Sequence, residues 1–207
     1  MATGLRERRK QEARRAISGA AMALFAARGF DAVTITQVAE AAGVSKMTVT
    51  NYFPRKEDLV FDRAEATIAS LGEAVTSRPP GMSFLAAIRR DYAERIGAAD
   101  VTLGPPSVEL ARLVHGSHVL ASRAREIEEQ REQALTDAIA AEAGDDGPLP
   151  RIVAAQLASV QRVLLAEATS RVLAGQDAAE IRAALAEAAR QAFDLLEPSL
   201  GSYGRKA

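Results

Sequence analysis

Residues 34–56, TITQVAEAAGVSKMTVTNYFPRK, constrain the possible folds of this chain more than any other segment. Thr34 stands just before an apolar-periodic run and Gln37 follows three residues later. At that spacing a hydroxyl and a side-chain amide cap each other's backbone N–H groups and start a helix. Val38 with Ala41 or Ala42 gives this helix an inward face. Gly43 follows, where the chain must pass through a left-handed backbone that only glycine adopts cheaply. Val44 can plug the corner, Ser45 caps a second helix from about Lys46 to Tyr52, and Pro54 ends it. Helix, glycine turn and second short helix form the arrangement that lays its second helix in the DNA major groove.

The charge distribution agrees once it is divided. The chain carries a net charge of −1, but residues 1–56 hold ten Lys/Arg against four acids, or +6, which leaves −7 for the remainder. A cationic end on an anionic body suits a protein that meets a polyanion through one end only. The N-terminal stretch LRERRKQEARR lacks the apolar core of a secretory signal, and no apolar run approaches the ~18 residues that span a bilayer. The absence of cysteine rules out disulfides, thiolate metal sites and a cysteine nucleophile. A cytoplasmic protein with no membrane partner is expected.

Every strong apolar period is helical, so the fold class expected is all-α. A three-helix helix-turn-helix head should sit on a larger helical body, about nine helices in all, with the domains dividing at 1–55 and 56–207. After the first helix (Ile17, Ala20, Ala21, Leu24, Phe25) and the two short ones, the pattern predicts a helix over 56–76. RPPG at 78–81 reads as a hinge. Further helices are expected over 83–97, 107–115, 118–143, 150–175 and 178–197, with Pro198 following the last and the terminal GSYGRKA loose. Gly104-Pro105-Pro106 marks a loop. Aromatic residues make up only 4% of the chain, so the core is built of Ala, Leu, Val and Ile, which suits close-packed helices.

The head resembles the DNA-binding domain of the tetracycline-repressor (TetR) family over about residues 9 to 62. The resemblance runs through Leu24-Phe25, Gly29-Phe30, Thr34, Val38-Ala39, Ala42-Gly43-Val44-Ser45, Thr48, Tyr52-Phe53-Pro54, Lys56-Glu57 and Leu59. Met47 and Thr50 depart from the family's usual residues and lie in the reading helix, so they bear on which operator is read. By helical spacing Lys46, Met47, Thr50 and Asn51 share roughly one face, with Thr48 near the helix start. Asn51 suits adenine, Lys46 suits guanine, and Thr50 can touch a thymine methyl. The resemblance implies phosphate contacts from Tyr52 and Lys56. Thr34, Thr36, Gln37 and Ser45 complete the candidate DNA-facing set. Val49 and Phe53 should pack inward.

The body is expected to sense a signal and to dimerise. Helix 150–175 is apolar or small nearly all round, which in a small chain points to packing inside its own bundle and against a second subunit, the alternative being the central helix of a monomeric bundle. The TetR resemblance implies a homodimer paired through the last two helices. That interface is expected from Val163, Ala166, Ser170, Leu185, Ala189, Phe193 and Leu196. A ligand site between the preceding helices would draw on Ile88, Tyr92, Leu113, Leu157, Val160 and Leu164, with Arg131 or Gln161 as polar anchors. The stretch SHVLASRAREIEEQREQALTDAIAAEAG, followed by PRIVAAQLASV, is loosely similar to the TetR subgroup with an acyl-CoA-like ligand domain. With so few aromatic residues, a small, broadly apolar ligand is expected and no cofactor. No nucleophile–base set, phosphate loop or dinucleotide fingerprint is present, which argues against an enzyme. His115 and His118 could meet on a helix face as metal ligands, but Ser117 reads as a helix cap that splays them; no metal is expected. The function implied is a ligand-responsive repressor on a near-palindromic, double-stranded DNA operator. The alternative is a DNA-binding adaptor governed by a protein partner.

Overall fold

The computed structural model describes residues 2–98 and 107–206, so the Gly104-Pro105-Pro106 loop lies outside the described residues. Among these residues there are nine α-helices and no strand. They are α1 (Ala2–Arg28), α2 (Ile35–Ala41), α3 (Lys46–Tyr52), α4 (Ala64–Thr76), α5 (Phe84–Gly97), α6 (Val108–Gly116), α7 (His118–Ala143), α8 (Leu149–Leu173) and α9 (Ala178–Leu200). No described helix is long and apolar enough to cross a membrane. The chain divides into two compact units, residues 1–64 with 112–124, and residues 65–111 with 125–207.

In the first unit α1 packs on α2, and α2 on α3. Ile17, Ala21 and Phe25 of α1 meet Val38, Val49, Phe53 and Leu59 in one apolar cluster, each almost fully buried. Leu120 closes this cluster, and Leu113 packs against it. No helix starts at residue 56. Glu57–Leu59 form a single 3₁₀ turn, and α4 begins only at Ala64. Three contacts hold the chain in this turn. The Asp58 carboxylate accepts the Arg55 N–H at 3.1 Å and pairs with Arg123 at 2.9 Å. Arg14 of α1 pairs with Asp62 at 2.6 Å and also donates to the Asp62 carbonyl. Leu59 of this turn is fully buried in the core of the first unit.

In the second unit α9 packs on both α5 and α8. The core gathers Leu71 and Val75 of α4, Leu85, Ile88 and Tyr92 of α5, and Leu135 and Ile139 of α7. Leu157 and Leu164 of α8 and Leu185 and Phe193 of α9 complete it. Pro198 lies inside α9, which continues to Leu200. Pro198 falls in the last turn on an exposed face, where the usual cost of an interior proline is reduced. The terminal segment is not loose. Gly81 N–H donates to the Lys206 carbonyl at 2.8 Å, and Lys206 N–H returns a bond to the Met82 carbonyl at 3.2 Å. Tyr203 stacks edge-on against Phe84 with centroids 5.5 Å apart. The 78–81 segment expected to be a hinge is thus tied down. The Arg78 guanidinium, 2% exposed, lies over the Phe84 ring, donates to the carbonyls of Val75, Met82 and Gly204, and pairs with Glu142 at 2.6 Å.

Candidate functional site

The helix-turn-helix is built as its sequence dictates. The Thr34 hydroxyl accepts the Gln37 N–H while the Gln37 side chain accepts the Thr34 N–H, closing a capping box at the start of α2. At the other end Val44 N–H bonds the Ala39 carbonyl and Gly43 N–H the Glu40 carbonyl. This pair of bonds is a Schellman motif, with Gly43 in the left-handed position at φ +66°. The Ser45 hydroxyl then accepts the Thr48 N–H at 3.0 Å to start α3. Helix α3 is amphipathic. Val49 and Phe53 are buried in the head core, whereas Lys46, Met47 and Asn51 are exposed, Met47 at 69%.

These exposed residues form one accessible face of a short helix. Thr50 lies on it, its hydroxyl donating back to the Lys46 and Met47 carbonyls. With that proton engaged, Thr50 can offer its methyl and an acceptor lone pair outward. Thr48 is half-buried, with its hydroxyl 2.8 Å from that of Ser45. Tyr52 is half-buried against the head core, and Thr34 and Thr36 are exposed. The Lys56 ammonium lies 4.3 Å from the Phe30 ring centroid, and burial lowers its pKa while Asp31 and Glu57 raise it. Arg8, Arg9, Lys10 and Arg15 of α1 are exposed. Since the helical segment at 57–59 is only one turn long, it provides no helix N-terminus for a phosphate.

The body presents a second candidate site. Tyr92, Arg131 and Gln161 are 2%, 3% and 3% exposed, yet each keeps a buried polar atom without a hydrogen-bond partner: the Tyr92 hydroxyl, Arg131 Nε and Nη2, and Gln161 Nε2. Ile88, Leu157 and Leu164 are buried in the same core as Tyr92, with half-buried Val160 packed against it. Leu113 is not with them; it packs on the core of the first unit. Burial drives the Arg131 pKa down, partly offset by Glu128, and pushes the Tyr92 phenol up to about 12, with Arg95 and Arg131 opposing. Because the folded state holds the neutral phenol, stability present below the ordinary tyrosine range should fall as pH rises through about 12. Thermal unfolding against pH should show this fall, and Tyr92→Phe should flatten it.

The face expected to dimerise divides in two. Leu185, Ala189 and Phe193 are no more than 5% exposed and close the core of their own unit, with Phe193 edge-on to Tyr92 at 6.2 Å. They present no surface to a partner, and Leu196 is packed against the same core. By contrast Ile152, Val163, Ala166 and Ser170 follow one exposed stripe of α8, and Leu195 of α9 is 81% exposed. Leu195 stands off the apolar stripe that Ile181, Leu185, Phe193 and Leu196 define, so a search of the sequence for inward faces misses it. His115 lies in the last turn of α6 and His118 begins α7, both exposed, with the Ser117 hydroxyl capping between them.

Residues 17–62 match the model of bacterial regulatory proteins of the tetR family. Over its length the chain is similar to the HTH-type transcriptional regulator TcmR of Streptomyces glaucescens, at 29% identity over 211 residues covering 98% of this chain and 91% of that protein. Among solved structures it resembles a TetR-family regulator of Streptomyces coelicolor, with a TM-score of 0.52 at 23% identity over 89% of this chain and 96% of the other. It also resembles NalD, the secondary repressor of the MexAB-OprM multidrug efflux pump of Pseudomonas aeruginosa. There the TM-score is 0.53 at 17% identity, over 89% and 97% of the two chains.

Proposed function

We infer that this chain, a member of the tetR family of bacterial regulatory proteins, works as a homodimeric repressor that leaves its operator when a small molecule enters the helical body. The observation that carries the DNA half is the accessible face of α3, where Lys46, Met47, Thr50 and Asn51 stand outward from a helix fixed by two caps and a Schellman turn. In the proposed complex, α3 reads base edges and Tyr52, Lys56, Thr34, Thr36, Gln37, Ser45 and Thr48 serve the backbone. Two copies read the two halves of a near-palindrome. Their isologous contact runs along Ile152, Val163, Ala166 and Ser170 of α8 and Leu195 of α9, the apolar and small surface that the subunit leaves uncovered. Release requires that the ligand bind one spacing of the two heads better than the other, since equal affinity would shift nothing.

Titration of operator DNA at several salt concentrations tests the reading face. Asn51→Ala should relax preference at one base pair and cost roughly 1–3 kcal/mol on the cognate sequence only. Lys56→Ala should weaken all sequences alike and flatten the salt slope by about 1 per subunit. A sequence-selective loss from Lys56→Ala, or none from Asn51→Ala, overturns these assignments.

A further inference from the structure

We propose that Arg131, Tyr92 and Gln161 form the anchor for an acidic head group, so that the molecule sensed is an amphiphilic organic acid, a carboxylate on an apolar body. The inference rests on the ligand-responsive reading above and narrows it. Arg131 Nε and Nη2 are the adjacent donors along one edge of the planar guanidinium, the pair that matches the two oxygens of a carboxylate, and both lack a partner. The third nitrogen, Nη1, comes no closer than 3.7 Å to Glu128 on its own helix. The nearby Asp91 is engaged by Arg95 at 3.3 Å.

Tyr92 of α5 is within electrostatic reach of Arg131 on α7. The Arg162–Glu132 contact at 3.4 Å ties α8 to α7 at the residues that follow Gln161 and Arg131. The partnerless atoms of Tyr92, Arg131 and Gln161 are an O–H and three N–H nitrogens, all of them donors. A buried cation with an unused fork is costly unless something accepts from it. A wholly apolar ligand would leave that cost in place, whereas a carboxylate removes it. Ile88, Leu157, Val160 and Leu164 from the surrounding core suit the apolar body of such a molecule.

The full-length protein is compared with Arg131→Met and Gln161→Leu by thermal unfolding and by operator titration. Each is run alone and with two matched pairs of probes, decanoate with 1-decanol and 2-naphthoate with 2-naphthalenemethanol. Without a probe, Arg131→Met is expected to unfold at the wild-type temperature or above, because it removes a buried cation whose Nε and Nη2 have no acceptor. For at least one pair the acid should raise the wild-type midpoint by about 2 °C or more while its alcohol does not, and Arg131→Met should lose that response. A lower midpoint for both probe-free variants, or no preference for acid over alcohol in either pair, overturns the anchor. If acids and alcohols release operator alike, the ligand-responsive reading stands and the anchor fails. If acids stabilise through Arg131 while operator stays bound, the anchor stands and that reading fails.

Discussion

Replacing Val163 and Leu195 together by glutamate is expected to give a folded monomer that no longer holds its operator. Both side chains are already in water, at 65% and 81% exposure, so the subunit itself should lose little stability. In the proposed dimer the same changes bury four carboxylates with no cation set against them, and each unpaired buried charge costs about 3–5 kcal/mol. A monomer carries one reading head where the dimer carries two, and loss of that linkage alone should weaken operator binding by roughly 10²–10⁴-fold. Sedimentation and far-ultraviolet dichroism separate the outcomes. Phe193→Glu is the contrasting variant: its ring is 1% exposed inside its own unit, so that change should unfold the body rather than dissociate a pair of intact subunits. A double variant that remains dimeric would move the interface away from this face.

Arg78→Met should be the most damaging single change in the turn between α4 and α5. The guanidinium satisfies three backbone carbonyls and Glu142, and it is almost wholly buried over Phe84. Methionine keeps much of the volume but leaves these acceptors without a donor, a loss of about 3–5 kcal/mol. In a chain of this size that corresponds to a fall in melting temperature of roughly 10 °C, with operator binding below the transition unchanged. Gly204→Ala should report on the same contact from the other side. Gly204 has φ +64°, and an added β-carbon there would overlap the Phe84 ring. A Gly204→Ala protein as stable as wild type would show that the tail contributes little.

The features of this protein legible in its sequence are those governed by neighbours along the chain. The Thr34–Gln37 capping box, Gly43 at the left-handed position and the Ser45 cap are local events, and the structure reproduces each. The starts of α5, α7 and α9 likewise follow from Ser83, Ser117 and Asp177, whose side chains accept helix-opening N–H groups. What was not legible depends on residues far apart in sequence. Helix 56–76 has a continuous apolar stripe, but Asp58 and Asp62 are held by arginines from α7 and α1, and those ion pairs break its first turns. On α9 the apolar stripe says that one side is buried without saying by what. Leu185 and Phe193 meet their own subunit, so the α9 residues expected at the dimer contact lie on the face that the subunit itself covers. Arg131 and Gln161 could be singled out as polar residues within apolar stripes; that their donors would be left without acceptors depends on three helices at once.

The clasp between residues 78–84 and 203–206 bears on the order in which the polypeptide can fold as it is made. Arg78 and Gly204 are separated by 126 residues, and Thr76 and Lys206 by 130. The neighbouring Val75 and Met82 carbonyls can satisfy part of the guanidinium as the turn forms, but its bond to the Gly204 carbonyl must wait until residue 204 has been made. Closing so long a loop late favours burial of the body in one concerted event once residues 203–206 have been made, rather than helix by helix before it. Until that event the face of α5 that packs on α9 remains uncovered. A nascent chain stalled before residue 203 should thus be recognisable by chaperone binding, where the folded protein is not.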